Sequence, residues 1–202
     1  MKKFFSLLVF TALTVYASAQ ITWNAKGGIG IANCYGDEVD TKSHIVGKIG
    51  VGLEKPLAAD WSLMPSLEIA WKGAKYEESG SGYKFEQNLN TLYIQIPVVA
   101  AYRLNLSDSW NMTIKAGPYF AYGISGSMSE SLSGNYGNDN ADYDIFSDGD
   151  ANRFDAGLDI GIDFECHSFV FGLEYEHGFV NFAPEDGNIK NSAFYATIGW
   201  KF

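Results

Sequence analysis

Long apolar runs, basic residues, cysteines and histidines are all scarce in this 202-residue chain, and each scarcity removes a class of protein. Beyond residue 16 nothing could form a membrane helix, which needs about 20 apolar residues. Even the most apolar stretch, Leu92 to Leu104, is interrupted by Gln95, Pro97 and Arg103 at strand-like intervals. Lys and Arg number 14 against 24 Asp and Glu, a net charge of -10. That balance argues against nucleic acid, or an anionic lipid surface, as the main partner. Cys34 and Cys166 are the only cysteines, and the strand pattern sets them at opposite ends of the fold, so two free thiols are expected rather than a disulfide. His44, His167 and His177 are too few and too badly spaced for zinc. No metal or cofactor is expected.

The first 19 residues read as an export signal: Lys2 and Lys3, an apolar stretch from Phe4 to Tyr16, then the small-residue cleavage site Ala17-Ser18-Ala19. Residues 20–202 are then one domain, whose net charge becomes -12 once the two leader lysines are gone. Gln20 is not cysteine, which argues against a lipoprotein. An exported chain without a membrane helix ends as a soluble domain or inserts as a closed barrel, because lipid leaves no partner for an open backbone.

From Gln20 onward the sequence alternates in segments of about ten residues, the signature of transmembrane strands. The last is the clearest guide. Phe194, Ala196, Ile198, Trp200 and Phe202 share one face, while Ala193, Thr197, Gly199 and Lys201 share the other. A final strand ending on an aromatic residue resembles that of bacterial outer-membrane barrels, in which it pairs with the first strand and is read by the insertion machinery. Ile198, Trp200 and Phe202 are the residues of that signal here. Eight such segments predict an all-β, eight-stranded antiparallel up-and-down transmembrane barrel. The segment from Arg153 to Glu165 fixes its register, since a slip of one residue would turn Arg153 and four carboxylates toward lipid. Polar connections (Cys34 to Lys42, Glu77 to Glu86, Gly126 to Asn152, Phe182 to Lys190) alternate with short turns (Lys55 to Asp60, Asn105 to Ser109, Cys166 to Ser168), long outside and short on the periplasmic side.

A soluble eight-stranded barrel would show the same period with its faces inverted. Two features favour lipid. The polar rows are rich in glycine, which makes a poor water-facing strand but leaves lumen space for long charged neighbours. Aromatics such as Trp23, Trp71, Tyr122, Phe154, Phe169 and Trp200 stand near the ends of the apolar rows, as two interfacial girdles require.

The inward rows carry Lys26, Lys48, Glu54, Glu68, Lys72, Arg103, Lys115, Arg153, Asp155, Asp159, Asp163, Glu165, Glu174, Glu176 and Lys201. An eight-stranded lumen is only wide enough for its own side chains, so these charges are expected to pair and plug it rather than form an ion path. Asp148 to Asn152 partly imitates a calcium loop but lacks the central glycine, and a solvated acidic loop is the expectation. Small outer-membrane barrels include lipid A-modifying enzymes that use His, Ser and a carboxylate near the outer rim. His44 and His177 lie toward that rim, yet no Gly-x-Ser-x-Gly elbow occurs and no serine follows His177 closely. No catalytic residue is therefore assigned.

Ile96-Pro97-Val98, Ala116-Gly117-Pro118-Tyr119, Arg153-Phe154-Asp155-Ala156-Gly157 and the run from Tyr175 to Asn181 together resemble the PorT-type outer-membrane β-barrel family of the Bacteroidetes. The resemblance spans nearly the whole mature chain and lies in the order and spacing of these short motifs. It implies a small barrel in the outer membrane, in contact with its lipid and lipopolysaccharide. The family's namesake is implicated in protease secretion, a role of only a subset. Three readings follow: an accessory in export or surface assembly with a protein partner, met through periplasmic turns or external loops; a stand-alone structural barrel; and a narrow channel.

Overall fold

The structure, a computed structural model, describes residues 21–36, 41–80, 83–134, 137–147, 151–183 and 187–202. The leader (1–19) and part of the Asp148 to Asn152 loop fall outside them. The strands are β1 (Thr22–Gly36), β2 (His44–Ala58), β3 (Trp61–Gly80), β4 (Tyr83–Asn105), β5 (Trp110–Gly134), β6 (Gly137–Asp144), β7 (Phe154–Cys166), β8 (Phe169–Gly178) and β9 (Ile189–Lys201). All pairings are antiparallel. β1 pairs with β9, from Asn24 opposite Lys201 to Gly36 opposite Ile189. Together with the β4–β5 pairing this closes a ring of eight: β1, β2, β3, β4, β5, β7, β8 and β9. The seam extends to the chain end, where the Trp23 amide donates to the Phe202 carbonyl at 3.0 Å and the Phe202 amide donates back at 2.9 Å.

Alternation decides which side each residue takes, because lipid and lumen differ more than any local preference could. Ile29, Ile45, Ile49, Leu67, Ile96, Phe120, Ile198 and Phe202 stand on the outer surface, while Lys48, Glu68, Lys72, Asp155, Glu174 and Glu176 are buried inside. Aromatic contacts mark the periplasmic girdle: Phe169 meets Trp200 at 4.5 Å and Trp61 meets Tyr102 at 5.1 Å between ring centroids. Inward glycines make room for the charges. A β-carbon at Gly161 would lie 2.6 Å from the Lys115 Cε, and one at Gly157 would lie 2.7 Å from the Tyr119 ring. Cys34 is buried near the outer end of β1 and Cys166 lies at the β7–β8 turn, both as free thiols.

Two connections expected as loops are strand. β3 continues to Gly80 and β4 starts at Tyr83, so most of the Glu77 to Glu86 stretch is a hairpin. β5 continues to Gly134 and pairs with β6 inside the expected Gly126 to Asn152 loop. Where both faces meet water the apolar period disappears, yet the backbone ladder still forms, so a polar strand is read as a loop. A bulge opposite Leu92 and Tyr93 marks the change. Ile124 and Ser125 are both exposed there, and the buried positions of β5 pass from odd residues (Tyr119, Ala121, Gly123) to the even Gly126. The ninth strand, β6, lies outside the ring.

The prolonged hairpin is tied to the β1–β2 connection by a bridge between Lys42 and Lys75, with backbone bonds of 2.6 and 3.0 Å. Glu77 accepts from the Lys42 ammonium at 2.5 Å and the Lys75 ammonium at 2.6 Å. These bonds lower its carboxyl from an ordinary 4.5 to about 2. A depressed carboxyl stabilises the folded form fully above pH 4.5 and loses that contribution as pH falls toward 2. A carboxyl carbon titration of Glu77 should have its midpoint near 2, with the Lys42–Lys75 bridge loosening below it. A midpoint near 4.5 would show that the tether does not form.

Candidate functional site

The inward charges assemble into a column along the barrel axis. At the periplasmic end Glu54 and Glu165 alternate with Arg103 and Lys201. Arg103 Nη2 lies 2.7 Å from Glu54 and 3.2 Å from Glu165, and Lys201 Nζ lies 2.7 and 2.6 Å from the same two carboxylates. Ser62 and Thr113 donate to them, each at 3.0 Å. In the middle, Glu174 meets three ammoniums: Lys26 at 2.8 Å, Lys115 at 2.7 Å, and Lys48 in close contact. Lys26 also pairs with Glu68, and Lys115 with Asp163, at 2.8 and 2.7 Å. Lys48 extends the chain of pairs to Glu176 at 3.1 Å, and Lys72 joins Glu176 at 3.0 Å to Asp155 at 3.3 Å. Gln95 donates to Glu176 at 2.7 Å and to Glu68 at 3.1 Å.

Two further tiers were not legible as site residues. Tyr93, Tyr119 and Tyr195 are fully buried among the charges of the column. Lys72 lies 4.2 Å from the Tyr119 ring centre and Lys48 lies 4.6 Å from that of Tyr195, so the rings share the burial of both ammoniums. Above them Ile145, Phe146, Phe182 and Ala183 fold into the mouth and pack with Cys34, Leu89, Tyr93 and Tyr119. Backbone bonds join these segments: Asn152 donates to the Phe182 carbonyl at 2.7 Å, and Ala151 to that of Ile145 at 3.2 Å. Arg153 belongs to this lid and not to the ion-pair column. It shares the inward parity of β7, but it lies one step beyond the end of the strand. There it donates to the carbonyls of Gly123 (3.2 Å) and Phe146 (3.1 Å) and sits 4.9 Å from the Phe146 ring centre.

Closed at the seam, charged within and apolar without, the fold is that of a membrane-inserted barrel. The sequence agrees: residues 16–183 match the outer membrane protein β-barrel domain family. The chain belongs to that family. It is an outer-membrane protein, and its short turns and long strands have the polarity expected there. Solved structures similar to this outer-membrane barrel include Neisserial surface protein A, 10% identical over 92% of this chain and 99% of that one with a TM-score of 0.48. Ail, the attachment invasion locus protein of Yersinia pestis, is 11% identical over 90% of this chain and 98% of its own, with a TM-score of 0.42. The N-terminal barrel domain of Pseudomonas aeruginosa OprF is 11% identical over 92% and 100%, with a TM-score of 0.35. No curated protein matches the chain.

Asp159 stands apart among the interior carboxylates of this outer-membrane barrel. It makes no ion pair within the described residues, and one of its oxygens has no hydrogen-bond partner there. It lines a cavity of about 40 Å³ together with Lys26, Lys115, Asp163, Glu174 and Lys201. Such a volume has room for a few waters, since one needs roughly 10–15 Å³. The described residues contain no group of His, Cys, Asp and Glu arranged to hold a metal.

At the outer rim the strand register does set a serine beside His177: Ser192 is its cross-strand partner on β9, and Asn33 follows on β1. Both ring nitrogens of His177 face tyrosine hydroxyls instead, Tyr35 at 2.9 Å and Tyr175 at 3.2 Å, and the Ser192 hydroxyl donates to the Asn33 carbonyl at 3.2 Å. His177 stacks on Tyr35 with ring centres 4.7 Å apart. In this arrangement the histidine has no free nitrogen aimed at the serine, and its partners are the two tyrosines.

Proposed function

We propose that this outer-membrane barrel acts by binding or assembly at the cell surface, as a PorT-type accessory in protein export or surface organisation. One observation carries the reading. β3, β4, β5 and β6 continue past the outer girdle as a hydrogen-bonded sheet, so the chain invests ordered backbone outside the membrane, where a barrel that served only its own insertion would need short loops. The filled lumen supports it from the other side, since paired charges and an apolar lid occupy the space a channel would need. In the same reading residues 1–19 are the export signal and 20–202 the inserted domain, with Ile198, Trp200 and Phe202 recognised by the insertion machinery.

The test is purification from the native outer membrane in mild detergent, with a tag placed at the tip of the β3–β4 hairpin (81–82), followed by conductance in planar bilayers. A stoichiometric protein partner and only rare, brief openings are expected. A barrel that comes out alone favours a stand-alone structural role. Sustained single-channel conductance would favour the narrow channel.

A further inference from the structure

β6 ends the sheet. Over all eight residues, Gly137 to Asp144, it pairs with β5, and no other strand among the described residues pairs with its second edge. The reason lies in how the chain changes sides. Up to Tyr122 the neighbour of β5 is β7, and above the bulge that place passes to β6. β8, which flanks β7, stops at Gly178, level with Gly157, so among the described residues no strand rises beside β6. An edge of about 26 Å, at 3.3 Å per residue, therefore presents its alternate backbone N–H and C=O groups to water outside the membrane.

Such an edge is usually guarded by lysine, by proline or by a covering element. β6 has neither lysine nor proline, and its guard is acidic. Asp142 is exposed; Asp144 accepts the amides of Phe146 and Ser147 at 3.0 and 3.2 Å. No Lys, Arg or His occurs anywhere between Lys115 and Arg153. An acidic edge repels a second copy of itself and attracts a basic strand. The two faces of β6 also differ. Register puts Tyr143 beside Met128, and Ala141 follows on that face, whereas Asp142 and Asn140 lie beside Ser129 and Ser131. A strand added at the edge would have each side chain next to one of these, so its own residues must alternate as well.

We infer that β6 accepts an extended, basic segment of another protein as an added strand, with Lys or Arg on the face of Asp142 and apolar or aromatic residues on the face of Tyr143. This deepens the surface-binding reading and rests on it. The mode is main-chain pairing with side chains setting preference.

The probe is a blocked seven-residue peptide alternating lysine with valine, added to the full barrel in detergent micelles. Binding is read by fluorescence anisotropy, and its site by amide hydrogen exchange. Expected are saturable binding, slowed exchange confined to β6 amides, and loss of both when alternate peptide nitrogens are methylated. Asp142→Lys should weaken binding tenfold or more and turn the preference to a glutamate–valine peptide, with the unboiled gel migration of the barrel unchanged. Equal binding of the methylated peptide would mean a charged patch and no added strand, and would overturn the inference. So would β6 protection that rises with barrel concentration without peptide, which assigns the edge to a second copy. A native partner recovered from membranes together with no peptide protection of β6 would leave the surface-binding reading standing and remove strand addition. The reverse pair of results would retain the acceptor edge and remove the export role.

Discussion

Glu174→Gln is expected to lower the unfolding free energy of the barrel by about 3–5 kcal/mol, the usual cost of breaking a buried ion pair from one side. Glu174 is wholly buried and meets the ammoniums of Lys26, Lys48 and Lys115. Glutamine keeps the shape and removes the charge, leaving three cations in a low-dielectric lumen with less to balance them. Lys26 and Lys48 retain Glu68, and Lys115 retains Asp163, so the structure weakens without emptying. Urea unfolding from lipid vesicles measures the loss, and Lys26→Met on the same background should recover part of it, because one cation goes while Glu68 keeps Lys48. A loss under about 1 kcal/mol would show that the column is hydrated enough to behave like surface pairs.

Ile160→Arg should cost about 2–4 kcal/mol, the penalty for a basic side chain at the bilayer midplane of a barrel. Ile160 lies midway along β7 on the outer face, between Ala116 of β5 and Tyr175 of β8. Its neighbour Asp159 points inward, so a change of one position in the sequence moves a charge from lumen to lipid. The fraction of protein giving a heat-modifiable band on a gel should fall with the unfolding free energy. Stability unchanged within about 0.5 kcal/mol would mean that this face meets water, since surface substitutions usually stay in that range.

How much could be read depends on what each strand faces. β7 was fully legible, because lipid on one side and charge on the other force strict alternation from Phe154 to Glu165. β5 beyond Gly126 and all of β6 were not, because in water a serine ladder serves on either face and leaves no period. Tyr195 was hidden for a different reason: it sits in an inner row otherwise small or charged, and its burial follows from the Trp71 carbonyl that its hydroxyl reaches at 3.0 Å across the lumen. The apolar pair Ile145 and Phe146 inside an acidic stretch was a signal for the lid. Its meaning required knowing that the mouth lay within reach.

Period and composition alone determined the closed antiparallel barrel, its outward and inward rows and its place in the outer membrane, because the solvent on each side of a strand acts on every residue in turn. Which lysine meets which carboxylate, the exclusion of Arg153 from that column, the lid and the open edge of β6 were decided only by the closed ring. Those contacts join residues as far apart as Lys26 and Glu174, and their distances are set by strand stagger and curvature, which no local pattern encodes.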